Sequence, residues 1–390
     1  MLTSVQNLHL LSSVSALNLS FNRLTEVGFP APMYNLRSLK LSNNNLGALD
    51  TAVLPSLALL YADQNALSTI SGLEHCHKLE ILSAREQMVS ERDSDKYFGV
   101  DLGQVRDIRK VFLSSNKLST QSVSPSAPLL SLQLLDIASC KLESLPVEFS
   151  LKFPNLKVLN LNFNALTGVT ELAGMNCLSR LAVAGNRITR MRRLCQALSY
   201  IGRTSRNSAC SLQKVDIRGN PLTVRFYPPP VTGSGKPTEN KKLHGKEGDR
   251  ERERPQAKAT FDLPAALADM GQNPNEGIPH PALWGEIDGE LEDMEMDADT
   301  DKDRDVEIND PYTLPTADTE ADMKYVSHLD ESTRLRRRIV ELMIYAGTGG
   351  SVTHLDGLEL RPMLEEGSDM NHAWTKLEKL GVLRKKAITD

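Results

Sequence analysis

One short segment recurs nine times in the first 222 residues and limits the folds open to this chain. It reads LNLSFNRL at 17–24, LKLSNNNL at 39–46 and, in its last copy, VDIRGNPL at 215–222. Another apolar residue, such as Leu36, stands three residues before each copy, so the full pattern is LxxLxLxxNxL. This is the leucine-rich repeat. Its asparagine position falls at residues 22, 44, 65, 87, 116, 140, 164, 186 and 220.

The repeat predicts an α/β leucine-rich-repeat solenoid. The alternating leucines of a short strand point to one side, and no single repeat can bury that side alone. The coils must therefore stack so that their strands form one curved parallel sheet. Most steps are 21–24 residues long, which leaves little room for a helix on the convex side. We expect short 3₁₀ or irregular convex segments there.

Two substitutions and two long steps depart from the pattern. Cys140 is an accepted replacement for the asparagine, whereas Gln87 is longer, so we expect the fourth coil to be less regular. The long step after Gln87 contains the polar run at 90–101, a predicted loop or short helix. The long step after Asn186 has apolar residues at helical spacing over 191–201, which predicts a convex helix with Cys195 as a buried thiol.

The composition changes abruptly near Pro228. We predict a leucine-rich-repeat array of about nine repeats over 1–227, and a disordered insert over 228–331 that is first basic and then acidic. Trp284 lies in this insert, in either a short docking motif or a plain linker. Leu2 lies 22 residues before Leu24, as in a preceding repeat, so we expect the sequence to be truncated at its N-terminus.

Residues 332–390 are predicted to hold a closing repeat and a helical C-terminal cap. Ser332 or Thr333 can cap a helix that ends at Gly347. A strand at 352–355 and a turn at Asp356-Gly357 then close the array. A second amphipathic helix, from Asp369 to Gly381, would cover its end.

No arrangement of residues predicts catalysis, a cofactor or a metal site. The five cysteines form no CxxC pair. His75, Cys76 and His77 are adjacent and cannot all face one tetrahedral metal. Basic clusters lack interleaved aromatics, and no apolar run reaches the length of a membrane span, so we expect neither nucleic acid nor membrane as a partner. The expected partners are proteins, and the sequence leaves the oligomeric state open.

The concave sheet is the candidate protein-binding surface. Residues on either side of the second consensus leucine project into it, and large apolar side chains cluster in the middle coils. Tyr61 and Phe112 are the predicted anchors, with Arg85 and Asp136 as polar neighbours. The alternative is that these are ordinary exposed apolar residues of a sheet. The complete candidate set is Leu59, Tyr61, Ile81, Arg85, Phe112, Leu134, Asp136 and Val158.

The chain resembles a family of fungal scaffold proteins through segments that include irregular stretches as well as consensus. These segments are LRSLKLSNNNLGALD, LYADQNALSTISGLEHCHKLEILSAREQ, VRDIRKVFLSSNKLS and the closing RLRRRIVELMIYAG with LDGLELRP. The family comprises the spindle-pole-body scaffolds of the septation initiation and mitotic exit networks, distantly similar to centriolin. The resemblance covers residues 1–230 and 332–390. Family members normally carry a long phosphorylatable region before the repeats, which this sequence lacks.

The resemblance implies a non-catalytic scaffold in the cytoplasm, on the cytoskeleton at the spindle pole body. Its implied partners are a spindle-pole-body anchor, a small GTPase with its GTPase-activating complex, and network kinases. Such a scaffold would couple mitotic exit to septation and cytokinesis. The alternative is a regulatory subunit of a Ser/Thr protein phosphatase, whose concave face would hold the catalytic subunit.

Overall fold

The computed structural model describes residues 1–88, 97–202, 211–228, 314 and 317–360, apart from Gln6, Ser12 and Gln104. Most of the predicted insert, residues 90–96 of the polar run and the predicted helix at 369–381 lie outside these residues. All of the described residues belong to one compact unit.

The repeats build a long sheet. The strands in chain order are β1 (Ala16–Asn18), β2 (Ser38–Lys40), β3 (Leu49–Asp50), β4 (Leu59–Tyr61), β5 (Thr69–Ser71), β6 (Ile81–Ser83), β7 (Gly99–Val100), β8 (Lys110–Phe112), β9 (Leu134–Asp136), β10 (Val158–Asn160), β11 (Arg180–Ala182), β12 (Lys214–Asp216), β13 (His354–Leu355) and β14 (Leu358–Glu359). Nine strands, one for each sequence repeat, pair in parallel in the order β1-β2-β4-β6-β8-β9-β10-β11-β12. The predicted leucine-rich-repeat solenoid is confirmed.

The register of the sheet explains why the consensus leucines are needed. Each strand aligns its central apolar residue with that of its neighbour, as Leu39 does with Leu60. These side chains are buried, with Leu39, Leu60 and Leu82 fully inaccessible. Side chains alternate along a strand, so the residues on both sides of each central leucine lie on the opposite face of the sheet. We call that opposite face the open face.

The consensus asparagines link consecutive coils. The amide nitrogen of Asn44 donates to the carbonyls of Leu19 and Leu41, both at 3.0 Å, and its oxygen accepts from the Leu24 nitrogen at 3.0 Å. Asn65, Asn186 and Asn220 repeat this arrangement. Each buried amide thus satisfies backbone groups that leave the sheet ladder. We call this series the asparagine ladder.

Gln87 fits the ladder, contrary to the expectation of a less regular coil. Its amide nitrogen donates to the carbonyls of Ala62 and Arg85, both at 2.9 Å, and its oxygen accepts from the Leu67 nitrogen at 3.1 Å. The bond to the carbonyl two residues back is one that Asn65 also makes, whereas the bond that Asn65 makes to the carbonyl three residues back has no counterpart at Gln87. The link to the preceding coil is kept.

The side of the coils away from the main sheet contains more regular structure than the short steps suggested. The predicted 3₁₀ turns occur at Leu73–His75 and Thr170–Leu172, and a short helix α1 spans Phe149–Lys152. In addition, β3, β5 and β7 form a second parallel sheet. Its strands have only two or three residues, too few to give an alternating pattern in the sequence.

The predicted convex helix is helix α2, Met191–Tyr200. It buries Leu194, Cys195 and Leu198, as its spacing predicted. Burial raises the pKa of the Cys195 thiol to about 12, so this thiol is neutral and suited to the core rather than to nucleophilic attack.

Two helices and a hairpin close the sheet. Helix α3 spans Thr319–His328, helix α4 spans Glu331–Gly347, and α4 packs against α2. Strand β13 continues the parallel sheet beside β12 and turns back into β14. Asp356 and Gly357, with φ of 58° and 81°, form the two-residue turn, which requires positive φ at both positions.

Two sequence expectations need correction here. Helix α3 lies inside segment 228–331, which we expected to be disordered as a whole. Its cap is Asp318, whose carboxylate accepts from the backbone nitrogens of Glu320 and Ala321. The cap of α4 is Asp330 rather than Ser332 or Thr333, and it accepts from the Thr333 nitrogen at 2.9 Å. Asp330 lies two or three residues before the expected caps of α4. The negative charge of each capping aspartate is also favoured by the helix dipole at the N-terminus.

Candidate protein-binding surface

Two rows of side chains cover the open face. The entry row contains the first residue of each repeated strand, namely Ala16, Ser38, Leu59, Ile81, Lys110, Leu134, Val158, Arg180 and Lys214. The exit row contains the third residue, namely Asn18, Lys40, Tyr61, Ser83, Phe112, Asp136, Asn160, Ala182 and Asp216. All eight predicted surface residues except Arg85 belong to these rows, and Arg85 lies two residues beyond Ser83.

The middle of the open face is apolar. Leu59, Ile81, Leu134 and Val158 of the entry row are half-buried, as are Tyr61 and Phe112 of the exit row. We call these six residues the apolar patch. Lys110 interrupts it and is exposed. The outer coils carry small or polar residues at the same positions, so the patch is confined to β4–β10.

Arg85, Phe112 and Asp136 form a contact cluster across three coils. The Arg85 guanidinium lies 4.5 Å from the centroid of the Phe112 ring, and its Nη2 lies 3.4 Å from Asp136 Oδ2. Ser114 Oγ donates to the same carboxylate oxygen at 2.9 Å. The Asp136 side chain is only 3% exposed and that of Arg85 is 20% exposed. The cation–π contact and the ion pair hold the Phe112 ring in a fixed orientation on the open face.

A second polar cluster, missed from the sequence, lies beside Tyr61. Ser83 Oγ donates to Asp63 Oδ1 at 2.6 Å, and the Arg85 nitrogen donates to the same oxygen at 2.7 Å. Burial raises the pKa of Asp63 despite these bonds. Burial, and then the Asp63 charge, also raises the pKa of Tyr61, so its phenol is protonated at neutral pH. Asp63 and Arg85 each lie two residues beyond the exit row, in neighbouring coils. Aligning the repeats would have shown that these two residues are adjacent.

Basic side chains line the edge of the open face at which the strands begin. Arg37, Arg109 and Lys157 come directly before the entry row, and Lys110, Arg180 and Lys214 lie on it. We call these six the basic edge. In the same two positions of every repeat, the described strands carry one acidic residue, Glu80, whose carboxylate lies 4.0 Å from Arg109 Nε. The sequence-based prediction, which considered the charges of each helix separately, did not identify this edge.

The described residues contain no cluster of three or more His, Cys, Asp or Glu side chains that could hold a metal ion. None of the described helices is both long and apolar enough to cross a membrane. The described part of the open face presents apolar area, a fixed aromatic ring and a row of positive charges.

Comparison with known proteins identifies the class. The family model for the leucine-rich repeat matches residues 130–188. Among solved structures, InlJ of Listeria monocytogenes superimposes with a TM-score of 0.41 at 18% identity, over 56% of this chain and 42% of InlJ. The internalin InlF of Listeria monocytogenes gives a TM-score of 0.40 at 19% identity, over 54% of this chain and 62% of InlF. The strand register and the matching repeat model define this chain as a leucine-rich-repeat protein.

A more particular similarity comes from a curated relative. The septation initiation network scaffold protein cdc11 of Schizosaccharomyces pombe is 28% identical over 180 residues, which is 46% of this chain and 16% of the relative. The resemblance to septation-network scaffolds, predicted from the irregular segments as well as the repeats, is confirmed. This chain spans about a sixth of the length of that relative.

Proposed function

We propose that this protein is a non-catalytic scaffold that binds other proteins through the open face of its sheet. The observation that carries the proposal is the apolar patch with the fixed Phe112 ring at its centre. Apolar and aromatic side chains surrounded by polar ones are typical of interface cores. The similarity to a septation initiation network scaffold supports the same role.

The proposed location is the cytoplasm, on the cytoskeleton at the spindle pole body, during mitotic exit. By analogy with the scaffold family, the protein would be anchored at the spindle pole body and hold a small GTPase, its GTPase-activating complex and network kinases. Bringing these proteins together raises their effective concentrations toward one another without any chemistry by the scaffold. This would couple mitotic exit to septation and cytokinesis.

Affinity purification of the tagged full chain from dividing cells tests this proposal. Recovery of a spindle-pole-body protein together with a network GTPase or kinase is the expected result. Stoichiometric recovery of a Ser/Thr phosphatase catalytic subunit would contradict it and support the regulatory-subunit alternative. Localisation of a fluorescent fusion to the spindle pole body is the second readout.

The role of the apolar patch is tested by the double substitution Tyr61→Ala/Phe112→Ala. Truncating two interface anchors is expected to weaken partner binding at least about tenfold, because aromatic anchors carry much of the binding energy of an interface. Tyr34→Ala/Tyr200→Ala is the matched control, since both rings are exposed and lie outside the two rows. Unchanged binding by a folded Tyr61/Phe112 variant, with folding checked by circular dichroism, would show that the partners use another surface.

A further inference from the structure

The open face combines features that specify the chemistry of a ligand beyond its being a protein. The apolar patch extends over five consecutive strands, β4, β6, β8, β9 and β10. The basic edge borders this patch on one side only. On the other side, the exit row and the residues beyond it mix the acids Asp63 and Asp136 with Arg85. The Arg85 guanidinium pairs with Asp136, and Asp63 accepts from the Arg85 backbone nitrogen.

The spacing of the strands favours a helical ligand. Neighbouring strands lie about 4.8 Å apart, so the patch is about 19 Å long from β4 to β10. A helix that lies across the strands advances about 5.4 Å per turn, close to one turn for each strand. An extended peptide in the same direction would present a side chain every ~6.7 Å and would lose register with the strands after two coils.

The charges favour an acidic ligand. Arg37, Lys110 and Lys157 are exposed, and Arg109 is 60% exposed even beside Glu80. A ligand with positive charges on this flank would be repelled, and one with Asp or Glu there would be attracted and oriented. Lys110 stands within the patch itself, so one acidic residue near the middle of the ligand stripe would face it.

We propose that the open face binds an acidic amphipathic helix of a partner protein, with an apolar stripe on the patch and Asp or Glu side chains along the basic edge. This inference rests on the proposed function, because it specifies the ligand of the same surface. About 13 ligand residues span the patch at the helical rise of ~1.5 Å per residue.

Panning a library of random peptides of about 16 residues against the immobilised full chain tests the inference, since this length exceeds the patch by about one turn. Enriched peptides are expected to have apolar residues at i, i+3, i+4 and i+7 and an excess of Asp and Glu. Enrichment of basic peptides, of acidic peptides without helical spacing, or of none would overturn it.

The charge-reversal variant Lys110→Glu/Lys157→Glu is then compared with the wild-type chain using the enriched peptides. Its dissociation constant is expected to be at least about tenfold higher, and the difference should shrink at high ionic strength. Arg193→Glu/Lys324→Glu is the matched control, because it makes the same charge change at exposed helix positions outside the sheet. Equal loss of binding in both variants would mean that the net charge alone attracts the peptides, and would overturn the inference. If the charge reversal disturbs folding, Lys110→Gln/Lys157→Gln is measured in its place. Its loss of peptide affinity should lie between those of the wild-type chain and the charge-reversal variant.

Failure of the inference is distinguishable from failure of the scaffold proposal. If Lys110→Glu/Lys157→Glu still recovers the same partners from cells, the ligand chemistry is wrong and the scaffold proposal stands. If the wild-type chain recovers a phosphatase catalytic subunit, the scaffold proposal fails, whatever peptides the open face selects.

Discussion

The repeated coils and the closing elements are held together by different chemistry. Between β1 and β12, consecutive coils are joined by neutral side chains, amides in all but the Cys140 coil, that bond to backbone groups. At the end of the sheet, helices α3 and α4 are joined to the last coil by buried charges. Neutral local bonds suit interchangeable coils, because each unit then contacts only its neighbours and any number can be stacked. The closing elements occur once, so their contacts with the last coil need not be repeated elsewhere in the sheet.

Arg337 is the centre of the closing contacts. Its Nη1 and Nη2 donate to the two Asp322 carboxylate oxygens at 2.9 and 2.7 Å, and Nη1 also donates to the Phe226 carbonyl at 2.9 Å. Its guanidinium lies 4.5 Å from the centroid of the Tyr227 ring. One side chain therefore joins α3, α4 and the segment after β12. Arg337 is 8% exposed and Asp322 is 6% exposed, so the pair is shielded from water.

The largest expected effect comes from breaking this pair. Arg337→Leu leaves the Asp322 carboxylate buried without its partner, which costs about 3–5 kcal/mol of stability. We expect α3 and α4 to lose protection in amide hydrogen exchange while β4–β10 keep theirs, since coils far from the break keep their own neighbours. Urea unfolding gives the magnitude.

Arg336→Leu is the control, because Arg336 is exposed on the same helix and its loss should change stability by less than about 0.5 kcal/mol. In the double variant Asp322→Leu/Arg337→Leu, part of the stability should return, because the buried charge is gone while the Phe226 carbonyl and Glu341 still lose their bonds to Arg337. If Arg337→Leu destabilised the middle coils as much as α3 and α4, the two regions would be one cooperative unit and the contrast between them would fail.

The matching test in the repeated coils is Asn164→Ala. Asn164 donates to the Ile137 and Leu161 carbonyls and accepts from the nitrogens of Cys140 and Leu142. Removing this side chain leaves buried backbone groups without hydrogen-bond partners, so we expect the protein to lose about 2–3 kcal/mol of stability. The effect should not vary between pH 5 and pH 9, because no charge is involved. Asn176→Ala, at an exposed loop position, is the control. A pH-dependent loss would contradict the neutral character of the ladder.

The repeated coils were predicted well from the sequence because each position of the repeat occurs nine times. Leu39, Leu60 and Leu82 share one environment, and their common spacing fixes strand, register and burial together. Gln87 was judged by its length alone, and its bonds show that reach to the preceding coil matters more than residue identity. The open-face rows could be assigned from the same register, but the packing of Arg85 between Phe112 and Asp136 required side-chain positions.

The closing region was harder to predict because its contacts occur once. The Asp356-Gly357 turn and helix α4 have local signatures and were predicted. Helix α3 has a weak apolar stripe and follows an acidic run, so its local sequence resembles the insert. Its contact with α4 includes Asp322, which pairs with an arginine 15 residues away. Such a single charged pair leaves no periodic trace in the sequence.

Asp356 gives the closing region a dependence on pH that the ladder lacks. The carboxyl is fully buried beside Asp216, Arg218 and Tyr227, and it accepts from the Ile217 nitrogen at 2.6 Å. Burial, and then the Asp216 charge, raises its pKa from 3.8 to about 8. The folded chain therefore holds a proton that the unfolded chain releases between these values, so stability falls as the pH rises from about 4 to about 8.

Asp356→Asn should remove this dependence. Asparagine keeps the acceptor for Ile217, tolerates the left-handed backbone and precedes a glycine, the favoured pair for this turn. We expect the stability of the variant relative to wild type to rise between about pH 4 and about pH 8, by up to about 1.4 kcal/mol for each pH unit. The new amide protons need partners, which limits the gain. Thermal unfolding at several pH values measures it, and a difference that grows toward low pH would show that Asp356 is ionised in the folded protein.

The smallest expected effect comes from a substitution within the asparagine ladder. Cys140 takes the asparagine position, where its thiol lies 3.3 Å from the Leu113 carbonyl and 3.2 Å from that of Ala138. The Leu118 nitrogen, whose equivalent in other coils donates to an amide oxygen, bonds instead to the Cys140 carbonyl at 3.3 Å. Cys140→Asn would supply two amide donors and the missing acceptor, so we expect a gain of about 0.5–1 kcal/mol. Cys195→Asn, which places the same amide in the apolar core under α4, should destabilise the protein instead. If Cys140→Asn also destabilised it in urea unfolding, the coil would have adapted to the thiol, and the coils of this array would not be interchangeable.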